Sequence, residues 1–242
     1  MSNRQEKSSV SREVIWSRAS GVSLSLLGIL LLNYRLQEKL ILLIHRRYLL
    51  LATLAGGVLL LLGLYRILKP SQGSTSRWPT LLLIGVVGLG LVNTPRPLSS
   101  QTALNRGVDQ TLRLQGLGSQ PQAFRPKLDP AQRTLIEWIR TLEVNPDPVN
   151  YQGQPVQVKG FVIASTGSAN QFTLAQFLIR CCAADAYPVG LPVLWAHANQ
   201  IPLDSWQEVK GWMAVMPEDP GKVAIQAEHV TAINPPVNPY AY

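Results

Sequence analysis

Two adjacent thiols sit in a short run of residues able to do chemistry, Arg180-Cys181-Cys182-Ala183-Ala184-Asp185-Ala186-Tyr187-Pro188, and they are the only cysteines among 242 residues. Thiolates are nucleophiles and soft metal ligands; the Asp185 carboxylate adds a harder donor three residues on. Structural zinc uses cysteines two to four residues apart, a spacing absent here, which argues against a closed four-ligand site. On a regular strand Cys181 and Cys182 would point to opposite faces, so sharing one ion takes a local bend. A disulfide between neighbours is strained by its small ring.

Two readings of the run stay open. One is an exchangeable site that draws on Cys181 or Cys182, Asp185, and His197 or His229, with zinc or copper(I) as the matching ion. The other makes Cys182 a small buried hydrophobe and Asp185 a turn cap. Arg180 either lowers a thiolate pKa or faces solvent. The tryptophans at 195, 206 and 212 could stack a ligand, but three in a small domain usually serve as core and rim. Gly167 lies in a polar turn with no Lys-Ser/Thr pair opening a helix behind it, so it is not a phosphate cradle. With no nucleophile motif or acid/base pair in sight, an enzyme is not expected.

The elements that position this run come in two chemically different halves. Residues 1–128 carry 16 Lys/Arg and 4 Asp/Glu, whereas residues 129–242 carry 6 and 10. The net charge of +8 therefore belongs to the first half. Basic residues there flank apolar runs, as topology and anionic head groups select, while phosphate binding by the acidic second half would need positive charge. Nucleic acid is not an expected partner.

Tyr48 to Tyr65 contains no charged side chain and is closed by Arg66 and Lys69. At ~1.5 Å per residue such a run nearly crosses a ~30 Å hydrocarbon core. With the shorter runs Ala19–Leu32 and Pro79–Val92, the sequence predicts three crossings, at about 17–34, 48–68 and 78–94, within a membrane region 1–94 that contacts the lipid bilayer. Between the first two, Tyr34 to Arg47 is expected along the interface. Gly85, Gly88 and Gly90 would permit close helix packing in the third run. No small-residue cleavage site follows the first apolar run, so the anchor is expected to be retained. Basic residues on the two sides number seven against six, which leaves the orientation undecided.

Residues 95–128 are rich in Pro, Ser, Gln and Gly and read as an extended linker. A second domain is expected over 129–242. Asp129-Pro130 opens a helix whose apolar stripe is Leu135, Trp138, Ile139 and Leu142, and Asn145-Pro146-Asp147-Pro148 stops it. After Gly153 the apolar period becomes two. Val156–Phe161, Phe172–Ile179, Val193–Ala196, Val209–Val215 and Val223–Ile233 are the strand candidates, with bends at Gly160 and Gly211. Five short strands predict a small all-β, OB-like Greek-key barrel; an immunoglobulin-like sandwich, which wants about seven, ranks second.

The chain resembles the bacterial YcgQ-like family, described as one subunit of a two-component permease. The resemblance rests on Leu98-Ser99-Ser100, Arg106-Gly107, Asn145-Pro146-Asp147-Pro148, Gly153, Gly160-Phe161-Val162 and, above all, Arg180-Cys181-Cys182-Ala183-Ala184-Asp185-Ala186 with Pro188. It implies a multi-pass protein of the cell membrane, with its C-terminal domain outside the cytoplasmic face, working with a separate polytopic permease. The motif residues Arg180, Cys181, Cys182, Asp185 and Pro188 would then meet substrate or partner. The implied function is a non-enzymatic accessory subunit. The alternatives are a tethered zinc- or copper-binding or thiol-redox protein acting without a permease, and an OB-type binding module for oligosaccharide or nucleic acid.

Overall fold

Leucine-rich, charge-poor sequence favours helix over the first hundred residues, and helix is what the computed structural model shows there. It describes residues 2–70, 77–107, 129–164 and 170–242. The chain divides into two compact units, Met1–Arg96 with Cys181–Ala183, and Pro97–Arg180 with Ala184–Tyr242.

The first unit holds α1 (Ser2–Leu36), α2 (Leu49–Leu68) and α3 (Arg77–Val92). Just past the end of α1, Glu38 adopts a left-handed φ of 56°. The stretch expected along the interface is then two short 3-10 turns, Lys39–Leu42 and Arg46–Tyr48, the second capped by His45 Nδ1 accepting the Arg47 N–H at 3.0 Å. Two segments, Val14–Leu36 and Arg46–Leu68, are long and apolar enough to cross a membrane, whereas Trp78–Val92 is shorter. Three crossing helices are thus expected from sequence and two meet the length criterion.

Glycine packs α1 against α2. A Cβ on Gly28 would lie 2.6 Å from the Gly56 carbonyl oxygen, and one on Gly63 would lie 2.6 Å from the Gly21 carbonyl oxygen. Both helices carry their glycines seven residues apart and run antiparallel, so Gly21 meets Gly63 where Gly28 meets Gly56. Removing side chains lets the backbones touch, the main source of helix adhesion where lipid is as apolar as leucine. Of Gly85, Gly88 and Gly90 in the third run, only Gly90 is packed, against Leu30; a Cβ on either of the other two meets nothing within 4 Å. Ser17, Ser20, Ser23 and Ser25 are buried on α1, with Ser20 and Ser23 Oγ donating to the carbonyls of Ser17 and Ser20. Tyr34 OH donates to the Gly90 carbonyl. The opposite side of α2 exposes Leu50, Leu51, Leu54, Leu61 and Leu62.

In the second unit, α4 (Ser100–Arg106) lies inside what was expected to be an extended linker. Ser99 caps it, the Ser100 N–H donates to the Asp204 carboxylate, and Ala103 is fully buried. The rest of that linker, residues 108–128, falls outside the described residues, as does Gly167.

Helix α5 (Leu135–Val144) starts later than Asp129-Pro130 implies. Asp129 caps a single 3-10 turn, Pro130–Gln132, and the chain then extends through Arg133 and Thr134. Thr134 and Glu137 form a reciprocal capping box, satisfying two amide donors at once, and this outcompetes the upstream cap. The helix ends before Asn145, and Tyr151 OH, against the Thr141 and Asn145 carbonyls at 3.1 and 2.8 Å, ties its end to the next turn.

Six strands form one sheet: β1 (Pro155–Ile163), β2 (Gln171–Leu178), β3 (Tyr187–Leu194), β4 (Trp206–Met216), β5 (Asp219–Ile233) and β6 (Tyr240–Ala241). Their order is β1-β4-β5-β3-β2-β6, and β1 also pairs with β2, so five strands close into a ring with β3 parallel to β5. Inside it, Val158, Leu174, Val189, Val209, Met213 and Ile225 are buried together with Leu135, Trp138 and Ile139 of α5. The register of β4 on β5 shifts at Lys210/Gly211, where the sequence places a bend.

Strand β3 begins at Tyr187, well before the expected Val193, because Tyr187-Pro188 reads as a turn in sequence. The Trp195 N–H donates to the Asn170 carbonyl at 2.9 Å, so odd-numbered residues carry the ladder to β2. Pro188 and Pro192 therefore fall on the alternate edge, which pairs with β5 only at Val193 and Leu194, and they remove no ladder bond there. The two-residue β6, parallel to β2 at Phe177 and Leu178, has no sequence signal.

On the surface of the ring, Gln157 Nε2 donates to Glu208 Oε1 at 3.0 Å and Lys159 Nζ lies 3.5 Å away. The Gln157 hydrogen bond, with help from Lys159, holds the Glu208 carboxyl below the usual range. A depressed carboxyl adds stability above its unfolded pKa and loses it as pH falls through the folded one. Gln157→Ala is expected to move the Glu208 midpoint upward in an NMR pH titration and to weaken this acid dependence; an unmoved midpoint would assign the shift to Lys159 and Lys210.

Candidate functional site: the Cys-Cys-Asp turn

The run that opens the sequence argument connects β2 to β3. Its flanks are fixed by pairing of Leu178 with Tyr187, and the Arg106 guanidinium donates to the Ala186 carbonyl. After a bend at Arg180 and Cys181, Ala183–Asp185 form a 3-10 turn. Asp185 Oδ1 accepts the Arg180 N–H at 3.2 Å, folding the carboxylate back over the start of the run.

That bend changes what neighbouring cysteines can do. The sulfurs of Cys181 and Cys182 lie 3.5 Å apart, on the same side and well beyond the ~2.05 Å of a disulfide bond. The ligand atoms of Cys181, Cys182 and Asp185 all lie within 4.8 Å of one another; Cys181 and Asp185 are exposed and Cys182 is half-buried. Within the first unit, the His45 N–H donates to the Cys181 carbonyl at 2.9 Å and the Ala183 N–H to the Leu43 carbonyl at 2.8 Å, so Ile44 and Cys182 form an antiparallel bridge.

The two histidines that the sequence offered as ligands, His197 and His229, stand elsewhere. His197 precedes the 3-10 turn Ala198–Gln200, is exposed, and meets Trp195 edge-on at 6.0 Å. His229 is exposed on β5 opposite Lys210. Neither joins the cysteine and aspartate cluster. Pro188 is buried in β3 opposite Phe177. Trp206 is buried beside Phe161, Trp195 packs against the core, and Trp212 is exposed.

Sequence reasoning gave no sign of two features. The pairing of Leu43–His45 with the cysteine run joins segments far apart in the chain, and nothing local marks it. A cavity of about 250 Å³ in the second unit is lined by Phe161, Phe177, Trp206 and Tyr240 with Leu98 and Asp204. Phe161 and Phe177 stack at 5.3 Å, and burial pushes the Tyr240 phenol up. Phe161 of β1 and Phe177 of β2 were the available signal, and they read equally well as core.

Residues 124–242 match the family model described as the DUF1980 C-terminal domain. The second half of the chain is thus similar to the DUF1980 C-terminal domain, which is consistent with the YcgQ-like resemblance. No curated protein matches. Among solved structures, asparaginyl-tRNA synthetase from Pyrococcus horikoshii is similar at 21% identity and a TM-score of 0.25, covering 40% of this chain and 24% of the synthetase. The same enzyme complexed with asparaginyl-adenylate gives the same values. The chain thus spans about a quarter of the synthetase's length.

Proposed function

We propose that the protein is a non-enzymatic accessory subunit of a bacterial permease, anchored in the cell membrane by its helical unit and carrying an OB-type domain on the extracytoplasmic side. The observation that carries this reading is the pairing of apolar helices, α2 exposing leucine along its length, with a C-terminal DUF1980 domain in one chain. Exposed leucine costs free energy in water and none in lipid. The closed five-strand ring supports the OB-type reading, and the YcgQ-like motif supports the extracytoplasmic placement and the permease partnership. The apolar runs carry no charged side chain between Ala19 and Leu32, Tyr48 and Tyr65, or Pro79 and Val92, so the helices offer no ion path of their own. A polytopic partner supplies it. The test is co-production with the polytopic permease of the two-component pair and purification in mild detergent: the full chain is expected to co-elute with the permease and a chain lacking 1–96 is not. A full chain that elutes alone overturns the reading.

A second reading, a tethered metal-binding or thiol protein acting without a permease, is favoured by one observation, the convergence of Cys181, Cys182 and Asp185.

A further inference from the structure

We propose that Cys181, Cys182 and Asp185 form an open, exchangeable Zn2+ site in which the six-residue turn itself supplies three ligands and leaves the fourth position to water or an incoming ligand. This deepens the second reading above and is independent of the permease partnership.

Ligand chemistry narrows the ion first. Two thiolates exclude Mg2+ and Ca2+, which take oxygen, and leave zinc or copper(I) as the metals such a donor set selects. The Asp185 carboxylate then separates those two, since zinc takes aspartate oxygen beside thiolate whereas copper(I) is selected by soft ligands. Tetrahedral zinc with Zn–S of about 2.3 Å holds two thiolates about 3.8 Å apart. The observed sulfurs are 3.5 Å apart, close to that bite. A carboxylate oxygen on the same ion, at about 2.0–2.2 Å, belongs about 3.5 Å from each sulfur, and the three ligand atoms lie within 4.8 Å. Closing the site takes side-chain movements of about an ångström or so.

The surroundings match what a ligating carboxylate needs. The Arg180 N–H on Asp185 Oδ1 orients the group, as hydrogen bonds to metal-bound carboxylates do. Strand pairing at Leu178–Tyr187 fixes the base of the turn. Three protein ligands with one open position is the arrangement of zinc sites that exchange a ligand, in contrast to closed structural sites. Zn2+ replaces the thiol protons, so two protons leave to solvent per ion bound and affinity rises with pH.

The experiment uses the full chain, purified in detergent, kept reduced with a phosphine and stripped of metal, then titrated with Zn2+ against a chromophoric chelator. One zinc per chain and about two protons released are expected. Co2+ in place of zinc should give thiolate-to-metal charge transfer and the intense visible bands of tetrahedral cobalt. Cys181→Ser and Cys182→Ser should each weaken binding by about 100-fold or more, and Asp185→Asn by about tenfold or more. Asp185→Asn keeps an oxygen for the Arg180 N–H, so it tests the ligand set even if a cysteine variant fails to fold. His197→Ala and His229→Ala should bind as the parent does. The proposal is overturned by absence of zinc binding, by undiminished stoichiometry and affinity in the cysteine variants, by copper(I) uptake without zinc, or by loss of affinity in either histidine variant. None of these outcomes alters co-elution with the permease, so the two proposals fail separately.

Discussion

Trp138→Ala should lower the midpoint of thermal unfolding of the β domain by on the order of 10 °C, the largest effect of any single truncation considered. Trp138 is fully buried where α5 meets the ring, with the Arg133 guanidinium 4.7 Å above its ring and Tyr151 edge-on at 6.2 Å. Truncating a buried aromatic costs about 3–5 kcal/mol, the lost transfer energy plus the cavity left behind. In a domain of this size each kcal/mol moves the midpoint by roughly 2–4 °C. Trp212→Ala is the contrast: that ring is 42% exposed, and its loss should cost under about 1 kcal/mol. Circular dichroism melts of a fragment starting at Pro97, which retains α4, would measure both. Equal midpoints for the two variants would show that α5 does not close the core.

Gly63→Leu should have a comparable effect on the helical unit. A Cβ there would collide with Ser25 Oγ and sit 2.6 Å from the Gly21 carbonyl oxygen, closer than atoms pack, and the backbone of α1 cannot yield without losing its own hydrogen bonds. The helices must separate. Overpacking ordinarily costs about 1–3 kcal/mol, and a clash with backbone lies at or above the top of that range. Gly85→Leu, whose Cβ meets nothing within 4 Å, is the matched control of equal added bulk. A cysteine pair introduced across α1 and α2 should cross-link efficiently in the parent and the control and poorly in Gly63→Leu. Equal cross-linking in all three would remove the glycine contact from the account.

These cases show where sequence was informative. Strand content, the α5 stripe and its stop at Asn145-Pro146-Asp147-Pro148 follow from local period and breakers, so they were legible. The start of α5 was missed: Thr134 with Glu137 caps it in place of Asp129-Pro130, because reciprocal caps satisfy two donors. Pro188 and Pro192 disguised the start of β3, since sequence does not say which edge of a strand is unpaired. Glycine in an apolar run marks close packing only when a partner backbone arrives, so Gly28 and Gly63 could not be told from Gly85 and Gly88 beforehand. In the candidate site, the residue types of Cys181, Cys182 and Asp185 were visible and the condition for their convergence, a bend, could be stated. The bent run also makes backbone hydrogen bonds with Leu43 and His45 that no local pattern encodes.

The central claim, a membrane-anchored protein that presents its cysteine turn outside the cytoplasm, is tested most directly by thiol labelling in intact bacterial cells. With Cys181 and Cys182 as the chain's only cysteines, a membrane-impermeant maleimide reports on this turn alone. The account predicts labelling of the chain in the carbonate-resistant membrane fraction before lysis, lost in the Cys181→Ser/Cys182→Ser variant. Labelling only after lysis, or recovery of the chain in the soluble fraction, would contradict it.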